Sequence, residues 1–339
     1  MEFKKIVITK FGGPEVLKMI TEPSLPEPKP GEVRVKVLCT SAAFTDTLIR
    51  RGNYLGIKVK PPFSPGYDLI GIVDKVGAGV THIKKGQKIA ELTVIGAYSQ
   101  YICLNAKTVV PVPDGLKNEE AVSLILTYLT AYQMLHRSAK VKEGQTILIH
   151  ACSGAVGTAM LQLGKLMNLK MYGTASKGKH DFIQAEGGIP IDYQHEDFLE
   201  RLKKDEPNGI DAVFDPIGGD YFPRSLKVLK KRGTLVGFGY QSAASGNGGN
   251  VILDFMKVKF WNLLPTKPNA NFYIISDWHQ KQNDWFKADM QALFNLLATH
   301  KIRPEIGKIM DFSQAAEAHK LVESAAIIGK IVLTVNKEA

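Results

Sequence analysis

The sequence predicts a two-part α/β fold: a strand-rich part joined to a doubly wound parallel sheet. Three observations carry this. The first ~115 residues hold many short strand-like runs split by Gly and Pro turns, the texture of a compact β-barrel-like domain. Beyond them, strand-like and helix-like runs alternate, which is the pattern of a parallel sheet. Between the two, TILIHACSGAVGTAMLQLGK at 146–165 reads as a strand, a tight glycine turn and a helix.

The elements follow in order. IVI at 6–8 is a strand-like start. VRVKV at 33–37 alternates apolar and polar residues, as a half-buried strand does. Runs at 70–77, 86–90 and 96–102 are further strands bounded by glycine. A helix is expected over 118–137, with Asn118 as its cap and Glu119 and Glu120 at its positive end. Strand 147–149 precedes a helix to 167. Strand 169–172 precedes a helix over 179–186. Strands 212–214 and 234–238 flank a helix over 221–230. Residues 242–250 are rich in Ser, Gly and Asn and read as a mobile loop. Helices over 288–300 and 312–322 and a strand over 330–335 close the chain.

Composition narrows the function classes. The chain has 339 residues, 45% of them hydrophobic and 22% charged, with a net charge of +10. These are ordinary values for a soluble globular protein of about two domains. No run approaches the roughly 18 apolar residues of a membrane span, and no signal peptide is visible. Cys39, Cys103 and Cys152 are widely spaced and odd in number, which favours a reducing, cytoplasmic setting over a disulfide framework. The lysines are scattered rather than clustered with aromatics, so the positive charge does not indicate nucleic acid.

The glycine turn is the first chemical signal. A strand feeding a helix through Ser153, Gly154, Ala155, Val156 and Gly157 presents free backbone N–H groups to a pyrophosphate. Cys152 stands where the G-x-G-x-x-G pattern has its first glycine. A site for NAD carries an acid about 20 residues later, on the ribose hydroxyls. Here no carboxylate appears until Asp181, while Lys177 and Lys179 come first. Such a segment repels less and attracts more of a 2′-phosphate, which favours NADPH.

Four segments together resemble one family: PGYDLIGIV at 65–73, HACSGAVG at 150–157, GTAS at 173–176 and GKIVL at 329–333. Their order and spacing resemble the medium-chain dehydrogenase/reductase superfamily, and within it the zinc-free quinone oxidoreductases. The branch related to the synaptic-vesicle membrane protein is especially similar around IDY at 191–193 and DPIGG at 215–219. The resemblance implies a GroES-like catalytic domain from residues 1–122 and 266–339, and a Rossmann domain over 123–265.

It also implies site residues. Gly173, Ser176, Lys179 and Tyr193 match positions around the NADPH ribose phosphate. Thr127, Phe238 and Gly239 match positions lining the nicotinamide, and Lys330 lies in the last matching segment. Zinc-bearing members carry a cysteine where Ala43 stands and His-Glu where Tyr67-Asp68 stands. With those ligands absent, no metal is expected. Asp46 reads as a helix cap or strut. Tyr54 matches a tyrosine beside the nicotinamide and is either a proton donor or a pocket wall.

The implied activity is NADPH-dependent hydride transfer to quinones or α,β-unsaturated carbonyls. The alternatives are an enoyl-thioester reductase and an NADPH-binding protein with weak turnover and an interaction role. A homodimer is expected through a Rossmann edge, for which 251–253 and 258–261 are apolar enough.

Overall fold

Strand β3 (Glu32–Ala42) shows how sequence sets the first sheet. Val33, Val35 and Val37 alternate with Arg34 and Lys36, and all three valines are fully buried. The computed structural model describes residues 1–54, 57–239, 256–258, 260–261 and 268–336. Its described residues form two compact units, Met1–Leu129 with Ser276–Ala339, and Thr130–Ile275.

In the first unit, β1 (Phe3–Ile8) and β2 (Leu17–Glu22) pair antiparallel. The larger sheet runs β14 (Ile306–Asp311), β15 (Lys330–Thr334), β3, β4 (Leu69–Val76), β5 (Lys88–Glu91) and β7 (Val110–Pro111), with β6 (Tyr101–Asn105) also on β3. The pairings are antiparallel except β14 with β15. Helix α1 (Phe44–Arg50) follows β3 directly.

In the second unit the six strands are all parallel, in the order β10 (Gly188–Asp192), β9 (Lys170–Ala175), β8 (Thr146–Ile149), β11 (Ile210–Asp215), β12 (Leu229–Gly237) and β13 (Asn269–Phe272). Helices α4 (Ala155–Leu166), α5 (His180–Ala185), α6 (Phe198–Asp205) and α7 (Tyr221–Leu226) connect them. Leu148, Tyr172, Ile191, Val213 and Leu235 build a core with Phe198 and Phe222 from the helices. The chain therefore has the α/β architecture expected, with a doubly wound parallel sheet.

Several local expectations change. The helix from Asn118 is capped by Lys117 rather than Asn118, which is its first residue. It widens into π turns over Leu124–Tyr128 and Met134–Ser138. The strand at 96–102 starts only at Tyr101, because Gly96 turns at φ 105°. Helix α7 stops at Leu226, and Leu229 already pairs with Ile210 in the sheet. The helix at 312–322 begins as a 3₁₀ turn capped by the Asp311 carboxylate. Sequence periodicity missed β10, α6 and β13, whose apolar runs are short.

The expected loop at 242–250 and the edge at 251–253 lie outside the described residues. Residues 258, 260 and 261 are helical, not an edge strand. Val258 is buried in the core of the second unit and Trp261 packs against that core.

Candidate functional site

Parallel strands bring the second unit's signals together. All six strands run the same way, so the loops after β8, β9, β10, β11 and β12 share one sheet edge. Ser153, Gly154, Ala155, Val156 and Gly157 follow β8. Gly173 lies within β9, and Ser176 and Lys179 come after it. Tyr193 follows β10, and Phe238 and Gly239 follow β12. Strand order reverses between β8 and β11, and ligands of open α/β sheets bind at such a switch point.

The glycine turn is built tightly. Ala151 takes the left-handed conformation, at φ 52°. Position 152 is thereby relieved of the need for glycine, which accounts for Cys152. Gly154 N–H donates to the Ala151 carbonyl at 3.0 Å, and Gly154 caps α4. The amides of Ala155, Val156 and Gly157 have no acceptor among the described residues, as the first turn of a helix requires. A Cβ on Gly157 would sit 2.2 Å from the Cys152 carbonyl oxygen. One on Gly173 would sit 2.5 Å from Cys152 Sγ. Both glycines are demanded by close approach.

A buried polar chain fixes this edge. Thr174 Oγ1 accepts from Ala151 N–H at 3.2 Å and lies 3.2 Å from His150 Nδ1. His150 Nε2 lies 3.1 Å from Ser225 Oγ, which donates to Asp215 at 3.3 Å. Asp215 also accepts from the Ile217 and Gly218 amides, at 2.8 and 3.1 Å. The donors sort consistently: Thr174 O–H to Nδ1, then Nε2–H to Ser225, then Ser225 O–H to the carboxylate. Burial, with the Arg224 charge second, pushes the His150 pKa down to about 3, so the ring is neutral.

No acid follows β9 before Asp181. Ser176 precedes a 3₁₀ turn and its hydroxyl makes no capping bond. Lys179 is half-buried and its pKa is lowered by desolvation. Tyr193 is exposed. Asp192, the nearest acid on β10, is held by His195 Nδ1 at 2.8 Å. Gly239 allows the backbone to pass Pro216, whose oxygen a Cβ would meet at 2.8 Å.

Tyr54, Thr127 and Lys330 belong to the first unit. Tyr54 follows α1, where Asn53 N–H ends the helix on the Leu48 carbonyl. Its hydroxyl lies 2.6 Å from the Tyr67 hydroxyl, and the rings meet edge to face at 5.9 Å. Ser276 acts on both phenols in the direction that favours their ionised forms. Thr127 is buried in the first π turn. Lys330 is buried beside Asp68, with 3.4 Å between Nζ and carboxylate.

Asp46 reaches back from the third position of α1 to the Ala43 amide at 2.9 Å, and also accepts from Gly66 N–H at 3.3 Å. It is a strut. Desolvation raises its pKa to about 7. No group of three His, Cys, Asp or Glu able to hold a metal occurs among the described residues. No helix there is long and apolar enough to cross a membrane. Sequence reasoning missed Tyr67 and Ser276, because their meeting with Tyr54 depends on long-range packing.

Comparison with known proteins agrees with this architecture. Residues 29–114 match the alcohol dehydrogenase GroES-like domain family, and residues 188–333 match the zinc-binding dehydrogenase family. The chain is 32% identical to quinone oxidoreductase 1 of Escherichia coli, over 97% of this chain and 98% of that one. It is 30% identical to the synaptic vesicle membrane protein VAT-1 homolog of Danio rerio, over 98% of this chain and 70% of that protein. The crystal structure of Escherichia coli quinone oxidoreductase complexed with NADPH superposes with a TM-score of 0.85 at 28% identity, covering 98% of this chain and all of the other. The chain belongs to the medium-chain dehydrogenase/reductase superfamily of oxidoreductases, alongside the quinone oxidoreductases and the VAT-1 homologues.

Proposed function

We propose that this protein is a zinc-independent, NADPH-dependent reductase of quinones or α,β-unsaturated carbonyls. One observation carries the reading. Three amides without an acceptor among the described residues open α4 beside a glycine that tolerates no side chain, and Ser176 and Lys179 rather than an acid follow the next strand directly. That combination fits a pyrophosphate followed by a 2′-phosphate.

In this reading Ser153, Gly154, Ala155, Val156 and Gly157 hold the pyrophosphate, with Gly173 keeping the floor flat. Ser176, Lys179 and Tyr193 hold the 2′-phosphate. Thr127, Phe238 and Gly239 flank the nicotinamide, and Lys330 contributes a fixed positive charge. NADPH supplies the hydride when bound. Tyr54 donates a proton to the substrate as negative charge develops on its oxygen. With Ala43 and Tyr67 at two of the positions where zinc-bearing relatives have ligands, no metal takes part. Ser176 and Lys179, in place of an acid directly after β9, favour NADPH over NADH. Among the described residues β13 is the outermost strand of its sheet, which supports a homodimer through that edge, and free, mostly buried cysteines fit a reducing cytoplasm.

The test is a pair of measurements. NADPH should be consumed with 1,4-quinones or enones and not with simple alcohols or aldehydes. NADPH should raise the melting temperature more than NADH at equal concentration. Equal protection by the two nucleotides would refute the assignment of Ser176, Lys179 and Tyr193.

A further inference from the structure

We propose that Tyr67 is the positioning residue for Tyr54, fixing its hydroxyl and stabilising it once its proton has gone. The proposal rests on the reductase reading for the role of Tyr54, and on geometry for the pairing.

The two phenol oxygens lie 2.6 Å apart, at the short end of O–H···O bonds. Tyr67 is fully buried while Tyr54 is partly exposed. A fully buried phenol needs a partner for its hydroxyl, and a phenylalanine would fill the same space without one. The ring of Tyr67 meets Tyr54 edge to face, at 75° between planes, so the pair is held by packing as well as by the bond. Ser276, the second residue of helix Ile275–Lys281, acts on both phenols in the direction that favours their ionised forms.

This arrangement divides the protons. With Tyr67 donating inward to the Tyr54 oxygen, Tyr54 keeps its own proton for the substrate side. In the reaction, the Tyr54 O–H bond breaks and a new bond to hydrogen forms on the substrate, using the electron pair released by hydride addition. The phenolate left on Tyr54 accepts from Tyr67 and Ser276. A proton from water restores the Tyr54 hydroxyl. The net change is one hydride from NADPH and one solvent proton added to the substrate. The charged groups acting on Tyr54 are Asp46 and Asp277, both of which disfavour the phenolate, so neutral donors are what remains to support it.

The test reads Tyr54 directly. 3-Fluorotyrosine placed at position 54 reports its ionisation by fluorine NMR, with neither cofactor nor substrate present. In Tyr67→Phe the titration should move up by half a pH unit or more, because a donor to the phenolate is lost. Ser276→Ala should move it in the same direction, and keeps the test available if Tyr67→Phe folds poorly. In turnover, Tyr67→Phe should lower kcat about tenfold with KM within about twofold. The double variant Tyr54→Phe/Tyr67→Phe should be no slower than Tyr54→Phe. An unmoved titration in both single variants, or multiplying losses in the double variant, overturns the proposal. If the wild-type chain consumes no NADPH with quinones or enones, the reductase reading falls and the catalytic role of Tyr67 with it. The fluorine titration then still decides the pairing by itself.

Discussion

Lys330 Nζ lies 3.4 Å from the Asp68 carboxylate, and both side chains are withdrawn from solvent. Asp68 also accepts from the Ser41 amide at 3.1 Å and from the Ser41 hydroxyl. The ion pair joins β15 to the residue that precedes β4, across 262 positions of sequence. Removing one partner leaves the other charge buried. Lys330→Met should therefore cost about 3–5 kcal/mol, read from urea unfolding, and Asp68→Asn/Lys330→Met should recover part of it. A single-variant loss below about 1 kcal/mol would show that the pair is hydrated.

The glycine turn makes a graded prediction. Gly157→Ala drives a methyl into the Cys152 backbone, which cannot give way, and should destabilise by about 3 kcal/mol or more. Gly154→Ala meets only the Ala151 oxygen, at 3.2 Å, and should be much milder. Gly173→Ala collides with the Cys152 side chain, so Cys152→Gly should rescue it. Melting temperatures of the four variants check this order.

For the 2′-phosphate, Lys179→Met and Ser176→Ala should each weaken NADPH about tenfold while leaving NADH affinity within twofold. Fluorescence titration with both nucleotides measures the difference. Parallel losses for the two nucleotides would place these residues elsewhere than on the phosphate.

Stability should depend on pH in two opposed ways. Asp46 has a folded pKa of about 7, raised by desolvation from 3.8. Between those values the folded state holds more protons than the unfolded chain, so this group's contribution falls as pH rises through 7, by up to about 4 kcal/mol. His150 and His319 are buried neutral, each with a pKa lowered to about 3. Their contribution is complete above 6.5 and is lost as pH falls toward 3. Asp46→Asn should raise stability at pH 8 relative to pH 5, and His319→Gln should flatten the acid side. Unfolding midpoints at a series of pH values test both signs.

The fold was legible where periodicity is local. VRVKV at 33–37 sits inside β3, and the run around 147–149 is β8. The turn chemistry of Gly154 and Gly157 was legible because a close approach admits only one residue type. What could not be read was the partner of each buried group. Arg50 donates to His319 Nδ1 at 3.1 Å across 269 positions, and His319 Nε2 meets Tyr98 at 3.1 Å. Tyr67 likewise looks like any apolar residue after Pro65-Gly66 until Tyr54 is placed beside it. Such pairs depend on how strands are ordered in a sheet, and spacing along the chain does not encode that order.

Strand β15 lies between β14 and β3 in its sheet. A ribosome delivers β3 long before β15, so that sheet is left with a gap until β15 emerges. The unit from Thr130 to Ile275 has no such dependence, since its strands come from one uninterrupted stretch. Emerging from the ribosome, this middle unit is able to fold while the earlier residues still wait for their closing strand. Deletion of residues 330–339, which removes β15, should therefore leave a folded middle and an open, aggregation-prone β3 edge.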